Sequence, residues 1–132
     1  MVGRMMTLRH SLFWKLLAWS LLALVVFLTL TPSPPKVSMA FVSWDKAQHV
    51  LAYMALMWLF SMAWEGRALI AWVVFLVCVG VTLEWLQGIM GVRVMEIWDM
   101  LANSMGVVIG WAISRTPLRL TLVRIESRLT WP

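Results

Sequence analysis

Four long and mostly apolar stretches constrain the fold of this chain more than any other feature. A helix rises about 1.5 Å per residue, so roughly 20 apolar residues cross a hydrocarbon layer about 30 Å thick. Backbone polar groups in lipid must be paired within the segment, which favours helices. The pattern therefore predicts an all-α membrane protein, a bundle of four transmembrane helices over Leu12–Leu30, about Asp45–Trp64, Ala68 to about Gln87, and Ile97–Ser114.

Composition supports a membrane location and bounds the domain organisation. Of the 132 residues, 62% are hydrophobic and 13% are charged, whereas soluble domains average about 45–50% and about 25%. A chain of this length supplies one small bundle. We expect a single transmembrane domain over residues 1–114, followed by a basic, amphipathic cytoplasmic tail over residues 115–132. We expect membrane lipids as partners of the basic residues, and no nucleic acid.

The basic residues predict the orientation of the bundle, because cytoplasmic loops of membrane proteins are enriched in Lys and Arg. Seven of them lie in the N-terminal region and the C-terminal tail, namely Arg4, Arg9, Lys15, Arg115, Arg119, Arg124 and Arg128. Arg67 lies in the turn between spans two and three, and the opposite loops hold Lys36, Lys46 and Arg93. We expect both termini in the cytoplasm, with the polar motifs at the extracytoplasmic ends of spans two, three and four.

Two terminal segments each allow two interpretations. The first apolar run could be a cleaved signal peptide with a small-x-small site at residues 38–40. Its apolar stretch exceeds the usual 7–15 residues, so we expect it to be retained as a span. The tail after Pro117 alternates arginine with apolar residues. It could form an amphipathic segment on the inner leaflet or a partly disordered basic tail.

Span two places polar side chains where insertion costs about 2.5–3.5 kcal/mol for each charge. Asp45, His49 and Tyr53 are four residues apart, so they share one face of a helix. Asp45 could cap the helix start or bind a ligand, whereas Lys46 lies off this face and can extend to the interface. His49 could make a structural hydrogen bond, act in acid–base chemistry or substrate contact, or bind a metal.

Spans three and four bring further polar groups to the same depth. Glu84 and Gln87 are neighbours at i, i+3, and Asp99 and Asn103 at i, i+4. We expect Glu84 to be protonated or to pair with Arg93 or His49. Glu96 is expected to be solvated in the loop. The sequence thus predicts one pocket lined by His49, Glu84, Asp99 and Asn103, with Arg93 reaching into it and Tyr53 and Gln87 at its edges.

Span four also carries a ridge of small residues, Ala102, Gly106, Gly110 and Ser114. Such a ridge lets a neighbouring helix backbone approach closely. We expect these residues to serve packing, which would turn Asp99 and Asn103 towards the bundle.

No motif for a cofactor or a metal is present in the sequence. Glycine-rich phosphate loops, HExxH, paired CxxC and GxSxG are all missing. One histidine in the cluster is poor for zinc, and a hard cation is disfavoured because Arg93 nearby indicates an anionic ligand. We expect no cofactor and no metal.

The polar motifs resemble the VanZ-like family of small bacterial membrane proteins. The segments that carry the resemblance are DKAQHVLAY, EWLQ and RVMEIWDMLANSMGVVIG, between Trp44 and Gly110. The loop Gly88–Val92 lacks the proline expected in many members. The resemblance implies a multi-pass protein of the bacterial cytoplasmic (inner) membrane. The member that names the family is associated with low-level resistance to the glycopeptide antibiotic teicoplanin, and the resemblance supplies no reaction.

Three functions are consistent with these residues. The leading one is an outward-facing intramembrane site that binds or modifies a lipid-linked or sugar-containing component of the cell envelope. Its candidate acid–base residues are His49, Glu84 and Asp99, and its candidate ligand contacts are Asp45, Tyr53, Gln87, Arg93 and Asn103. The alternative is a non-catalytic accessory or assembly subunit whose polar cluster is structural. A proton-coupled transporter is less consistent, because the polar groups stop at one side. The sequence leaves catalysis and homo-oligomerisation open.

Overall fold

The computed structural model describes residues 8–32 and 44–129, and this part of the chain contains helices and no strand. The prediction of an all-α protein is therefore confirmed. The residues Arg4, Lys36 and 38–40, which entered the predictions on topology and cleavage, lie outside the described residues. The long helices are α1 (Ser11–Leu30), α2 (Trp44–Ala63), α3 (Leu69–Met90) and α4 (Ile97–Ser114), and a 3-10 turn (Pro117–Leu120) leads into a short α5 (Thr121–Arg128).

The observed bounds lie close to the predicted ones, except at the end of α3. This helix continues three residues past Gln87 to Met90. It ends at Gly91, whose φ of 65° is left-handed and whose N–H donates to the carbonyl of Gln87. Glycine adopts this conformation without a steric penalty, which is why it commonly ends helices. The loop before Arg93 is therefore shorter than expected.

Three of the helices, α1, α3 and α4, are long and apolar enough to cross a membrane. The second helix is not among them, because the polar residues of its first two turns lower its mean hydropathy. The four-span bundle and the cytoplasmic termini stay predictions.

The helices α2 and α4 run parallel and pack most closely. A Cβ atom added to Gly106 would collide with the carbonyl oxygen of Val50, and one on Gly110 would lie 2.6 Å from that of Met54. Their backbones are thus in direct contact along the small-residue ridge. Asp99, Ala102 and Asn103 are buried on the same face.

Aromatic rings fill the space between α1, α2 and α3 at the opposite end of the bundle. Adjacent rings of this aromatic cluster have centroids 4.6–6.5 Å apart, and its members are Trp19, Phe60, Trp64, Trp72 and Phe75. Such pairs contribute about 0.5–1.5 kcal/mol each beyond the burial of their surface. The cluster fixes three helices at one end and so supports the geometry of the other.

The C-terminal segment packs against the start of α1. Leu122 is buried, and the Glu126 carboxylate accepts hydrogen bonds from the backbone N–H groups of Arg9 (2.7 Å) and His10 (3.0 Å) and from the Trp14 indole (2.6 Å). Burial alone would raise the pKa of Glu126, but the three donors outweigh it and lower the pKa. Residues 117–128 are helical, and contact of this tail with the inner leaflet stays a prediction.

Candidate functional site

The polar residues converge at the end of the bundle where α1 and α3 end and α2 and α4 begin. Hydrogen bonds between these elements hold them together: Gln87 of α3 bonds to the end of α1, and Asp45 of α2 bonds to the α3–α4 loop. We call this group the polar cluster; it comprises Asp45, Lys46, His49, Tyr53, Glu84, Gln87, Arg93, Glu96, Asp99 and Asn103. Glu84, Gln87, Asp99 and Asn103 are almost completely buried.

An ion pair holds the α3–α4 loop against the start of α2. The Nη2 atom of Arg93 donates to Oδ2 of Asp45 at 2.5 Å, and both side chains are partly exposed. The hydrogen bond to Asp45 raises the pKa of Arg93 above its already high usual value. Asp45 therefore serves as the partner of Arg93, and its position in the first turn of α2 also suits the positive end of the helix dipole.

Lys46 connects α2 to α4, contrary to the expectation that it extends freely to the interface. Its Nζ atom lies 2.8 Å from Oδ1 of Asp99 and 2.7 Å from Oε2 of Glu96. The Asp99 side chain is only 2% exposed, so its charge needs a compensating partner. Glu96, which was expected to be solvated alone, is exposed but belongs to this ion-pair network.

The ring of His49 is oriented by Asn103. Its Nδ1 atom lies 2.8 Å from the amide oxygen Oδ1 of Asn103. An amide oxygen can only accept, so in the neutral ring Nδ1 carries the proton and Nε2 is an acceptor. The Nε2 atom lies 3.9 Å from Oδ2 of Asp99, which is too long for a hydrogen bond. Two acceptors thus face each other across a short gap.

Glu84 holds the start of α4. Its Oε1 atom accepts from the backbone N–H of Glu96 at 2.9 Å, which satisfies an N-terminal donor next to α4. Of the two alternatives expected for Glu84, pairing with Arg93 or His49 is not seen, because those side chains bind Asp45 and Asn103 instead. Protonation of Glu84 stays a prediction. Its Oε2 atom is buried and has no hydrogen-bond partner within the described ranges. This oxygen is still able to accept a proton or a donor.

Two further polar residues face the junction of three helices. Gln87 donates through Nε2 to the carbonyl of Thr29 at 2.6 Å, and so fixes α3 to the last turn of α1. Tyr53 is 2% exposed, and its hydroxyl makes no hydrogen bond with any described residue. Tyr53 borders open space between the helices, so its hydroxyl can still bond to a molecule outside the protein.

A cavity of about 350 Å³ opens beside the polar cluster, between α1, α2 and α3. We call it the interhelical cavity. One wall is apolar and consists of Val25, Leu28 and Ala52, and the polar wall consists of Thr29, Asp45, Gln48, His49, Tyr53, Gln87 and Arg93. Its size falls in the usual range for small-molecule sites, roughly 300–1,000 Å³.

Three side chains of the polar cluster could hold a cation, and two of them, Asp45 and His49, line the interhelical cavity. Ligand atoms of Asp45, His49 and Asp99 all lie within 4.8 Å of one another, and we call them the acceptor triad. Arg93 and Lys46 already compensate the two carboxylates, which leaves less charge for a divalent metal than two free carboxylates would offer. The absence of a metal stays a prediction.

Sequence reasoning missed the ion pairs of Lys46, and it missed the contributions of Gln48 and of α1 to the cavity. A signal for Lys46 was present, because a cation in the first turn of a helix opposes the dipole and therefore indicates an acidic partner. Gln48 is a polar residue one turn from Asp45 on an apolar segment. The α1 residues Val25 and Leu28 carry no such signal, since they read as ordinary lipid-facing positions.

Comparison with known proteins gives one match. A family model described as VanZ/LLP1 matches residues 10–120. No curated protein and no solved structure matches. The family match spans all four long helices and the 3-10 turn that follows them. It confirms the resemblance carried by the three polar motifs and extends it to α1, which those motifs leave outside.

Proposed function

The chain belongs to the VanZ/LLP1 family, and on that premise we propose that it binds a lipid or lipid-linked component of the cell envelope. The observation that carries this proposal is the interhelical cavity, which joins an apolar wall to a polar one within a membrane protein. A lipid has the same division between chain and headgroup.

The size and composition of the cavity support a ligand that enters it only in part. At about 30 Å³ for each water-sized group, 350 Å³ accommodates roughly a dozen such groups. That is enough for a headgroup or a single sugar, with the remaining chain in the bilayer. Val25 and Leu28 on α1 and Ala52 on α2 provide the apolar wall along which such a chain would leave.

The distribution of basic residues supports an outward-facing site in a bacterial inner membrane. Arg115, Arg119, Arg124 and Arg128 lie at or beyond the end of α4, whereas the polar cluster lies at its start. With the basic end in the cytoplasm, as the enrichment of Lys and Arg in cytoplasmic loops predicts, the cavity opens towards the outer leaflet.

Modification of the ligand would require an acid or a base at the same place. The acceptors free for this role are Nε2 of His49 and Oε2 of Glu84. Asp99 would act through its contact with Lys46, and Asn103 would keep the His49 ring in place. Binding uses the cavity alone, whereas turnover would add a proton transfer at one of these atoms.

The second candidate is an accessory or assembly subunit whose polar cluster only holds the bundle together. One observation favours it: the ion pairs of Lys46 and Arg93 each join separate segments of the bundle. The two proposals differ at residues that line the cavity without bonding to the protein. In the accessory subunit, changing such residues would leave function intact.

Photochemical labelling tests the binding proposal. A phospholipid with a photoactivatable group near the start of its acyl chain is incorporated into membranes containing the protein, and labelled peptides are mapped by mass spectrometry. We expect Val25, Leu28 and Ala52 to be labelled more strongly than Leu16 and Ile70, which are 58% and 63% exposed on outer faces. Equal labelling of both sets would contradict a specific site.

A role in teicoplanin protection is a further proposal, which rests on the family resemblance. It is tested by the susceptibility of a sensitive Gram-positive host that expresses wild type, Glu84→Gln or Ser114→Ala at measured membrane abundance. Ser114 is the control, because its hydroxyl bonds to the carbonyl of Trp111 at the far end of α4. Protection by wild type and Ser114→Ala, but not by equally abundant Glu84→Gln, is the expected result. Equal protection by all three would remove Glu84 from the activity.

A further inference from the structure

The charges of the polar cluster, which adjoins the interhelical cavity, restrict the headgroup that the cavity can accept; of these charged residues, Asp45 and Arg93 line it. Within the polar cluster, carboxylates outnumber cationic side chains by four to two, with Asp45, Glu84, Glu96 and Asp99 against Lys46 and Arg93. Arg93 is moreover paired with Asp45, so the expectation that it selects an anionic ligand no longer follows. A ligand with a net negative charge would be repelled by this excess.

The acceptor triad provides a place for a cationic group. Its three ligand atoms lie within 4.8 Å of one another, and Nε2 of His49 lies 3.9 Å from Oδ2 of Asp99, too far for a hydrogen bond. A primary ammonium carries three N–H donors and one positive charge. It would give each of the three atoms a hydrogen bond and relieve the unfavourable approach of two acceptors.

The polar wall of the same cavity also presents donors. Arg93 has five N–H groups in a planar fork, and its bond to Asp45 within the described part of the chain uses Nη2. The Tyr53 hydroxyl is a further donor, in a residue that is 98% buried and that bonds through this group to no described residue. Guanidinium and hydroxyl donors suit the oxygens of a phosphate.

We propose that the cavity binds the headgroup of a zwitterionic phospholipid in which a primary ammonium lies next to a phosphodiester, as in ethanolamine phospholipids. The ammonium binds the acceptor triad, and the phosphate binds Arg93 and Tyr53. This assignment rests on the proposed lipid-binding function and specifies its ligand. A divalent cation is the rival occupant of the triad. It is disfavoured because Lys46 and Arg93 already compensate two of its members, so two added positive charges are balanced less well there than the single charge of an ammonium.

Native mass spectrometry of the full-length protein in detergent tests this assignment with dihexanoyl phosphatidylethanolamine, phosphatidylcholine and phosphatidylglycerol. Choline differs from ethanolamine by three methyl groups that replace every N–H donor, and glycerol removes the positive charge. We expect the ethanolamine lipid to bind at least about tenfold more tightly than either, because hydrogen bonds between charged groups are among the strongest.

The variant Tyr53→Phe separates a ligand role from a structural one. Its hydroxyl bonds to no described residue, so its removal should leave the melting temperature unchanged. We expect affinity for the ethanolamine lipid to fall by roughly threefold to tenfold, the effect of one hydrogen bond. Ser114→Ala, which removes a hydroxyl far from the cavity, should leave affinity unchanged.

Four results would overturn the assignment, and they separate it from the proposed function. Binding of the choline lipid as tight as that of the ethanolamine lipid would exclude recognition of N–H donors. Displacement of the ethanolamine lipid by micromolar Zn²⁺ or Mg²⁺ would show that the acceptor triad binds a metal ion instead of an ammonium. Preference for the glycerol lipid that depends on Tyr53 would contradict the ethanolamine headgroup but would still support the proposed lipid-binding function. If none of the lipids binds, both proposals fail.

Discussion

The two ends of the bundle are held together by different interactions. At the polar-cluster end, ion pairs of Lys46 and Arg93 join α2 to α4 and to the α3–α4 loop. At the other end, aromatic rings pack between α1, α2 and α3, and Glu126 holds the start of α1.

This difference explains why a cavity can lie beside the polar cluster. Aromatic rings are stabilised in proportion to the surface that they bury against one another, so they pack closely and fill the space between helices. An ion pair needs only its own few atoms to meet, so α2, α4 and the α3–α4 loop can be joined while a space remains between α1, α2 and α3. The end with aromatic packing supplies rigidity, and the end with ion pairs supplies acceptors, donors and room for a ligand.

We expect the largest loss of stability from a substitution that separates α2 from α4, because these two helices run through both ends of the bundle. In Gly106→Val, the new side chain meets the backbone of Val50 and Met54, which can yield only if the helices separate. We expect a loss of about 3 kcal/mol or more, seen as low membrane abundance and a lower melting temperature. Ala112→Val, at an exposed position of α4, is the matched control. Equal stability of the two variants would refute the contact.

The ion pairs of the two ends should differ in strength. Lys46→Met removes the partner of Asp99, which is 2% exposed, whereas Arg67→Met removes the partner of Glu65 at an exposed turn where the arginine is 78% exposed. An uncompensated buried charge costs far more than a lost surface pair. We expect the fall in melting temperature for Lys46→Met to be at least about twice that for Arg67→Met.

A double variant checks the cause of that difference. In Lys46→Met/Asp99→Asn, the buried charge is removed together with its partner, so part of the lost stability should return. A double variant as unstable as the sum of the two single variants would show that Lys46 and Asp99 act independently.

A smaller effect, which depends on pH, is expected at the opposite end. The pKa of Glu126 is lowered in the folded protein, so its stabilising contribution is complete above the unfolded value of about 4.3 and is lost as pH falls through the folded value. We expect Glu126→Gln to cost about 1 kcal/mol at pH 7, the usual value of a capping carboxylate. Melting temperatures at pH 7 and pH 3 measure this. A wild-type advantage that persists undiminished at pH 3 would exclude the carboxylate as its source.

The sequence predicts the helices and their inward faces but few of the partners. Apolar runs and prolines bound the helices, and four-residue spacing places Asp45, His49 and Tyr53 on one face of α2. Periodicity gives the direction of a side chain and not the residue it meets. The pairing of Lys46 with Asp99 depends on the relative position of two helices.

The contact of Glu126 with α1 was still less accessible to sequence reasoning. Glu126 is 117 positions from Arg9 and 116 positions from His10 in the sequence. A single glutamate in a basic tail gives no indication of such partners. The interhelical cavity has the same origin, because it arises from the tilt and spacing of three helices. No pattern of residues along one helix encodes an unfilled space.

Filling the cavity tests most directly whether the polar-cluster end is a binding site. Ala52→Leu adds apolar atoms to its wall and leaves every polar residue in place; Ala71→Leu, at an exposed position of α3, is the control. Lipid that copurifies with each protein is quantified by mass spectrometry beside its melting temperature. We predict that Ala52→Leu loses the bound lipid while its stability stays within about 1 kcal/mol of wild type. Unchanged lipid in a folded Ala52→Leu protein would contradict a binding site in this cavity.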